Sequence, residues 1–180
     1  LIACGTAACE LAVRHIDQLD FITITLIDQV KPQEISPEMK FIRFSPPDYL
    51  YETIDQRRFL KKGNLPILPL SRELDLHLKS LKGELVFCAG LGKATGTLLF
   101  QSIGLHYQNP IQKLEWFATF PFAFEGSVKS AHADLAVHLL AENGKEPSII
   151  YADTIRGIYG NLAIRSAYGK LDQLVVEHLV

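Results

Sequence analysis

The order of apolar and polar residues divides the chain into segments that alternate between strand-like and helix-like. Residues 1–4 are a short apolar run. Residues 8–18 place Leu11, Ala12, His15 and Ile16 on one helical face. "FITITLI" (21–27) is rich in β-branched residues and reads as a strand, and "KFIRF" (40–44) as a weaker one. In "SRELDLHLKSLK" (71–82), Leu74, Leu78 and Leu81 share a helical face behind Ser71, a residue type suited to an N-cap. "ELVFCA" (84–89) is a strand. The helix expected over 95–107 is apolar nearly all round, which predicts burial. "EWFATF" (115–120) is a strand, and "SVKSAHADLAVHLLAE" (127–142) carries Val128, Ala131, Leu135 and Leu139 at helical spacing. "SIIYA" (148–152) is a strand, and 161–180 is a last helix.

Strands that alternate with helices need crossover connections. The expected fold is therefore α/β: a three-layer, mostly parallel sheet with helices on both faces, forming one domain over 1–180. Ligands of such sheets bind beyond the carboxyl ends of the strands. Gly5, Gly90, Pro121 and Asp153 fall at those ends. The stretch 45–69 is the least regular. It holds four of the nine prolines and the basic run "RRFLKKGN", and reads as a long loop with one helical piece over 48–61.

Composition narrows the function classes. Hydrophobic residues are 48% and charged residues 21% of the 180, an ordinary globular balance. A net charge of −2 gives no general attraction for polyanions, so no nucleic-acid partner is expected. No apolar run approaches the roughly 20 residues of a membrane span. "LIACGTAACELAVRH" lacks the basic lead and long apolar stretch of a signal peptide. Three cysteines, Cys4, Cys9 and Cys88, are an odd number in apolar settings, which fits a reducing cytoplasm. The six histidines are dispersed without a metal-binding spacing.

The candidate chemistry centres on "ELVFCAGLGKATGTLLF" (84–100), a strand that runs through glycines into a helix. Backbone amides at such a helix start hold phosphate well, and Thr95 and Thr97 add hydroxyls. A tight strand-to-helix turn is the plainer alternative. Two common phosphate motifs fail. "GLGKAT" has Thr95 where a dinucleotide fingerprint has its third glycine, and the following strand ends Thr119-Phe120-Pro121 without the ribose-binding acid. Lys93 lacks the glycine spacing and the following Ser or Thr of a P-loop.

A third pattern fits. "FCAGLGKATGTLLF" resembles the signature loop of the tubulin/FtsZ superfamily. "TFPFAFEG" (119–126), "LKSLKGELVFCAG", "KKGNLP" (61–66), "IIYAD" (149–153) and "SAYGKLDQLV" (166–175) are similar to further FtsZ blocks, in the family's order over most of the chain. The chain thus resembles the nucleotide-binding half of a divergent FtsZ-like protein of the cell-division and cytoskeletal filament class. The resemblance implies GTP or GDP as ligand, with Mg²⁺ as a companion ion, and self-association or an FtsZ-like partner.

Carried over block by block, the resemblance puts the phosphates on Gly90, Gly92, Thr95, Gly96 and Thr97. Lys93, Ala94 and Leu98 stand where the family has glycines. If those backbones needed positive φ, a side chain would cost roughly 1 kcal/mol each. The family's first glycine loop falls on "CGTAACE", shortened but with Gly5 kept, Thr6 beside it as a further candidate contact, and Glu10 near the phosphates, where a carboxylate repels the ligand. Glu125 matches the family's ribose residue and Lys129 replaces an Arg; capping of the next helix is the alternative for Glu125. Asp172 falls on the guanine-reading helix and Asn64 near the terminal phosphate, beside Lys61 and Lys62. Each also has a bland reading, an exposed helical carboxylate and a solvated basic loop.

Hydrolysis in this family needs acidic residues on a loop after the central helix, and Val180 precedes that loop. The sequence as given is expected to bind nucleotide without supplying those acids, and to lack the family's activation domain. The alternative function is a pseudo-GTPase acting as a non-catalytic interaction or regulatory module. An unrelated Rossmann-type oxidoreductase is a third, weakened by the missing acid.

Overall fold

Among the described residues, six strands join into one all-parallel sheet. The computed structural model describes residues 1–19, 21, 23–63 and 65–180. The strands are β1 (Ile2–Cys4), β2 (Ile24–Asp28), β3 (Met39–Arg43), β6 (Leu85–Gly90), β7 (Leu114–Phe120) and β8 (Ser148–Tyr151). A separate antiparallel hairpin pairs β4 (Tyr51–Ile54) with β5 (Arg57–Leu60). The helices are α1 (Gly5–Arg14), α2 (Arg72–Ser80), α3 (Ala94–His106), α4 (Ser127–Glu142), α5 (Thr154–Tyr159) and α6 (Ile164–Leu179).

Both faces of the sheet are covered, as an all-parallel sheet requires. On one face Ala8, Cys9, Leu11 and Ala12 of α1, with Val175 and Val176 of α6, pack on Ala3, Leu26, Val86, Cys88 and Phe117. On the other, Leu74 and Leu78 of α2, Leu99, Phe100 and Ile103 of α3, and Ala133 and Leu140 of α4 pack on Ile2, Ile27, Phe87 and Trp116. Phe87 and Trp116 stack at 4.3 Å between ring centroids in the centre of this second core. The three-layer expectation therefore holds.

The elements largely match the periodicity. Ser71 caps α2, its hydroxyl accepting the Leu74 amide at 3.2 Å. Helix α3 is buried over ten consecutive residues, Thr95 to Gly104. Four readings need correction. The piece expected to be helical over 48–61 is instead the β4–β5 hairpin, turned at Asp55 and Gln56 with φ of 48° and 63°. Helix α4 buries His132, Ala133, Ala136 and Leu140, while Val128 and Leu135 point to solvent. The last helix begins only at Ile164, behind the short helix α5 that the pattern did not announce. The first helix begins at Gly5 itself, so no glycine loop intervenes after β1. Ile22 of the expected strand over 21–27 lies outside the described residues.

The topology fixes where a ligand can sit. From β1 the chain winds outward through β2 and β3, then crosses to β6 on the other side of β1 and winds outward again through β7 and β8. The connections leave β1 and β6 toward opposite faces. The crevice between their carboxyl ends is the topological switch point, where open α/β sheets bind ligands.

Candidate functional site

Cys4 ends β1 and Gly90 ends β6, side by side, with Cys4 paired to Ala89 in register. Helix α1 leaves one strand and helix α3 follows the other. Neither N-terminus has a side-chain cap. The first amides of any α-helix lack intrahelical acceptors, so both helices present unpartnered donors and positive dipole ends at the crevice.

Glycines let the two N-termini meet. Gly5 has φ +79°, and a Cβ there would lie 2.5 Å from the Gly96 nitrogen and 2.6 Å from its Cα. A Cβ on Gly96 would lie 2.6 Å from the Gly90 carbonyl oxygen and 3.1 Å from that of Cys4. Backbone is packed on backbone, and only glycine fits at either position.

The turn before α3 is held from within. Thr97 is fully buried; its hydroxyl accepts the Gly92 amide at 2.9 Å and donates to the Lys93 carbonyl at 2.5 Å. It staples the turn and does not face a ligand. Thr95 accepts a hydrogen bond from Gln29 Nε2 at 3.0 Å, and the same nitrogen donates to the Tyr51 hydroxyl at 3.0 Å. The strain considered for Lys93, Ala94 and Leu98 does not arise. Lys93 is extended at φ −92°, Ala94 opens α3, and positive φ among described non-glycine residues is confined to Asp55 and Gln56. Leu98 points away from the crevice into a cluster with Leu50, Leu60 and Leu68, under the hairpin.

The crevice opens into two lobes that share Ala7, Gly90 and Lys93. The first, about 760 Å³, lies between α1, the end of β2 and the hairpin. Thr6, Glu10, Ala94, Thr95 and Gly96 line it from the glycine side. The second, about 90 Å³, lies toward α6 and includes Glu125, Tyr168 and Asp172. The structure therefore brings Gly5, Thr6, Gly90, Lys93, Ala94, Thr95 and Gly96 to one crevice, with Glu125, Lys129 and Asp172 on its α6 side. Gly92 and Thr97 shape the turn from behind. Asn64 lies outside the described residues.

The polar groups on the α6 side satisfy one another. Lys129 Nζ donates to Glu125 Oε2 at 2.8 Å, and the Phe122 amide donates to Glu125 Oε1 at 3.2 Å. Burial alone would raise the Glu125 carboxyl, but hydrogen bonds from Lys129 and Tyr168 outweigh it and hold the group below its ordinary value. Asp172 forms an ion pair with Arg14 of α1 at 3.0 Å. Burial pushes its carboxyl upward, and Arg14 only partly opposes that. On α4, His132 is buried and donates from Nε2 to the Lys61 carbonyl at 3.1 Å, tying α4 to the segment after the hairpin. Burial lowers its pKa, and the carbonyl contacts oppose the shift.

Sequence reasoning missed Arg14, Asp28, Gln29, Tyr51 and Arg58, all of which line the large lobe. Asp28 had a signal. The dinucleotide pattern around the 90–96 turn points to the end of the next strand for its acid, whereas the strand that follows Gly5 and its helix ends "ITLID", at Asp28. Tyr51 and Arg58 were hidden by the helical reading of the hairpin. Among the described residues no three His, Cys, Asp or Glu side chains gather as a metal site, and no helix is long and apolar enough to cross a membrane.

No protein-family model and no curated protein sequence matches this chain. Solved structures do. An empty FtsZ dimer from M. jannaschii aligns over 97% of this chain with TM-score 0.66 and 18% identity. A tryptophan-to-tyrosine mutant of FtsZ from the same organism aligns over 99% with TM-score 0.65 and 16% identity. The chain covers 51% and 53% of those two proteins, about half their length. It has the tubulin/FtsZ-like fold.

Proposed function

We propose that this domain binds a guanine nucleotide, with its phosphates over the paired N-termini of α1 and α3. One observation carries the reading: the glycine-only approach of Gly5 to Gly96, which aims two uncapped helix starts at the topological switch point. The phosphate groups fit this cradle. Thr6, Ala7, Ala94, Thr95 and Gly96 stand at the first turns, where amides lack intrahelical acceptors, and exposed Lys93 adds a cation. Mg²⁺, where present, would accompany the phosphates rather than occupy a site built by the protein alone.

The guanine preference and the FtsZ-type role, including head-to-tail self-association in the cytoplasm, rest on the resemblance of the sequence blocks and on the shared fold. A non-catalytic interaction module is the second reading. It is favoured by the Arg14–Asp172 and Lys129–Glu125 pairs, which engage the residues matched to base and ribose recognition with the protein itself.

The test is a titration of the purified chain with GTP, ATP and tripolyphosphate, with and without Mg²⁺. GTP is expected to bind at least tenfold tighter than ATP, and tripolyphosphate to compete with it. Equal affinity for GTP and ATP would remove the guanine claim. Failure of tripolyphosphate to compete would remove the phosphate cradle.

A further inference from the structure

We propose that Arg58, carried by the β4–β5 hairpin, contacts the terminal phosphate of the bound nucleotide and so makes the site prefer a triphosphate to a diphosphate. The inference rests on the nucleotide site proposed above and adds a specificity-determining residue at its β2-side end.

The blocks matched to ribose and base recognition, at Glu125 and Asp172, direct the nucleoside toward α6. The far end of the phosphate chain then points to the β2 side, where the crevice opens into the lobe of about 760 Å³. Charge is unevenly placed around that lobe. Glu10 of α1, Asp28 at the end of β2 and Glu34 of the β2–β3 connection line it, and they repel an anion. Lys93 before α3 and Arg58 on the hairpin line it with the opposite sign. Of its other cations, Arg14 is paired with Asp172, and Lys31 shares the β2–β3 connection with Glu34. A terminal phosphate is thereby drawn to the hairpin rim.

Arg58 is tied to the phosphate turn by a chain of contacts. Its guanidinium stacks 3.7 Å from the centroid of the Tyr51 ring. The Tyr51 hydroxyl accepts from Gln29 Nε2 at 3.0 Å, and the same nitrogen donates to the Thr95 hydroxyl at 3.0 Å, in the first turn of α3. Stacking occupies the face of the guanidinium and leaves N–H groups at its edge, in the fork geometry that matches two phosphate oxygens. The present partner of that edge is Asp48, just before β4, whose side chain is 95% exposed. An ion pair so open to water contributes little, and a phosphate can take the place of Asp48. The neighbouring Arg57 lies on the other face of the hairpin, as strand alternation requires, and does not line the lobe.

The test titrates GTP, GDP and tripolyphosphate into the full chain, in wild type and in the Arg58→Ala and Arg57→Ala variants, with thermal melts confirming that each is folded. Arg57→Ala removes the same charge from the same hairpin and controls for bulk electrostatics. Wild type is expected to bind GTP roughly fivefold or more tighter than GDP, as an added charge-assisted contact allows. Arg58→Ala should lose that preference through weaker GTP binding, with GDP unchanged, and Arg57→Ala should keep it. A preference that survives Arg58→Ala, or is lost equally in Arg57→Ala, overturns the proposal. Equal affinity for GTP and GDP in wild type overturns it too, and leaves the nucleotide site standing. Should Arg58→Ala not fold, Asp48→Asn replaces it by freeing the guanidinium. Tighter GTP binding there with GDP unchanged supports the assignment, and unchanged GTP affinity overturns it. Tripolyphosphate binding without either nucleotide overturns the nucleotide reading and Arg58 with it but leaves the cradle, and binding of none of the three overturns all of them.

Discussion

At the scale of single residues, the account depends on glycines that allow backbone contact. Gly5 combines a left-handed φ with a Cβ position already filled by Gly96 backbone. Gly5→Ala is therefore expected to cost about 2–4 kcal/mol, from backbone strain and from separation of the two helix starts. Urea denaturation would read the loss, and Gly144→Ala is the control. Gly144 shares a left-handed φ of 72°, but a Cβ there meets nothing within 4 Å, so the change should cost less. Histidine supplies a second test. Burial holds both His77 and His132 below the ordinary value, and Lys40 adds to the shift at His77. The unfolded chain then takes up protons before the folded one. The contribution of these histidines to stability should be flat above pH 7 and be lost as pH drops through about 6.5, until the folded-state values are reached. Replacing His132 with Gln should shallow that fall in denaturation midpoints measured from pH 7.5 to 5.5; an unchanged slope would remove His132 from the explanation.

At the scale of elements, the β4–β5 hairpin is the sharpest lesson. Its turn residues are Asp55 and Gln56, both at positive φ, where two-residue hairpin turns prefer Asn or Asp followed by Gly. Gln at the second position hid the signal, so the segment read as helical. Gln56→Gly should relieve the strained residue and stabilise the protein by roughly 0.5–1 kcal/mol, offset in part by added freedom in the unfolded chain. A calorimetric melt would show it; a lower melting temperature would mean that the turn tolerates Gln without strain. Elsewhere local pattern was enough. Leu74 and Leu78 announced α2, and the continuous apolar run of α3 announced its burial. Helix α4 was found but turned the wrong way. Its buried face consists of His132 and two alanines as well as Leu140, because α3 packs close, with Gly104 against Leu140, while Val128 and Leu135 were left outside. Hydropathy alone cannot rank a small residue at a close contact above a large one at the rim.

At the scale of the whole molecule, the parallel sheet and its crevice were legible because strand ends with glycine recur at 5 and 90, on neighbouring strands. The tubulin/FtsZ-like fold follows from block order in the sequence and from the structural match over almost the whole chain. The asymmetry of the two lobes was not legible. It arises from long-range pairs such as Arg14 with Asp172, and from a hairpin joined to the end of β2 by the Gln29–Tyr51 hydrogen bond. If a nucleotide fills the crevice, it links elements from both halves of the sheet and must stabilise the whole fold. Ligand at a hundred times its dissociation constant adds about 2.7 kcal/mol, a rise of several degrees for a domain of this size. The most direct measurement is the melting temperature of the purified chain in the presence of GTP, ATP or tripolyphosphate at matched ionic strength. The account predicts upward shifts with tripolyphosphate and GTP, larger for GTP than for ATP. No shift with any of the three at millimolar concentration would contradict a phosphate cradle between α1 and α3.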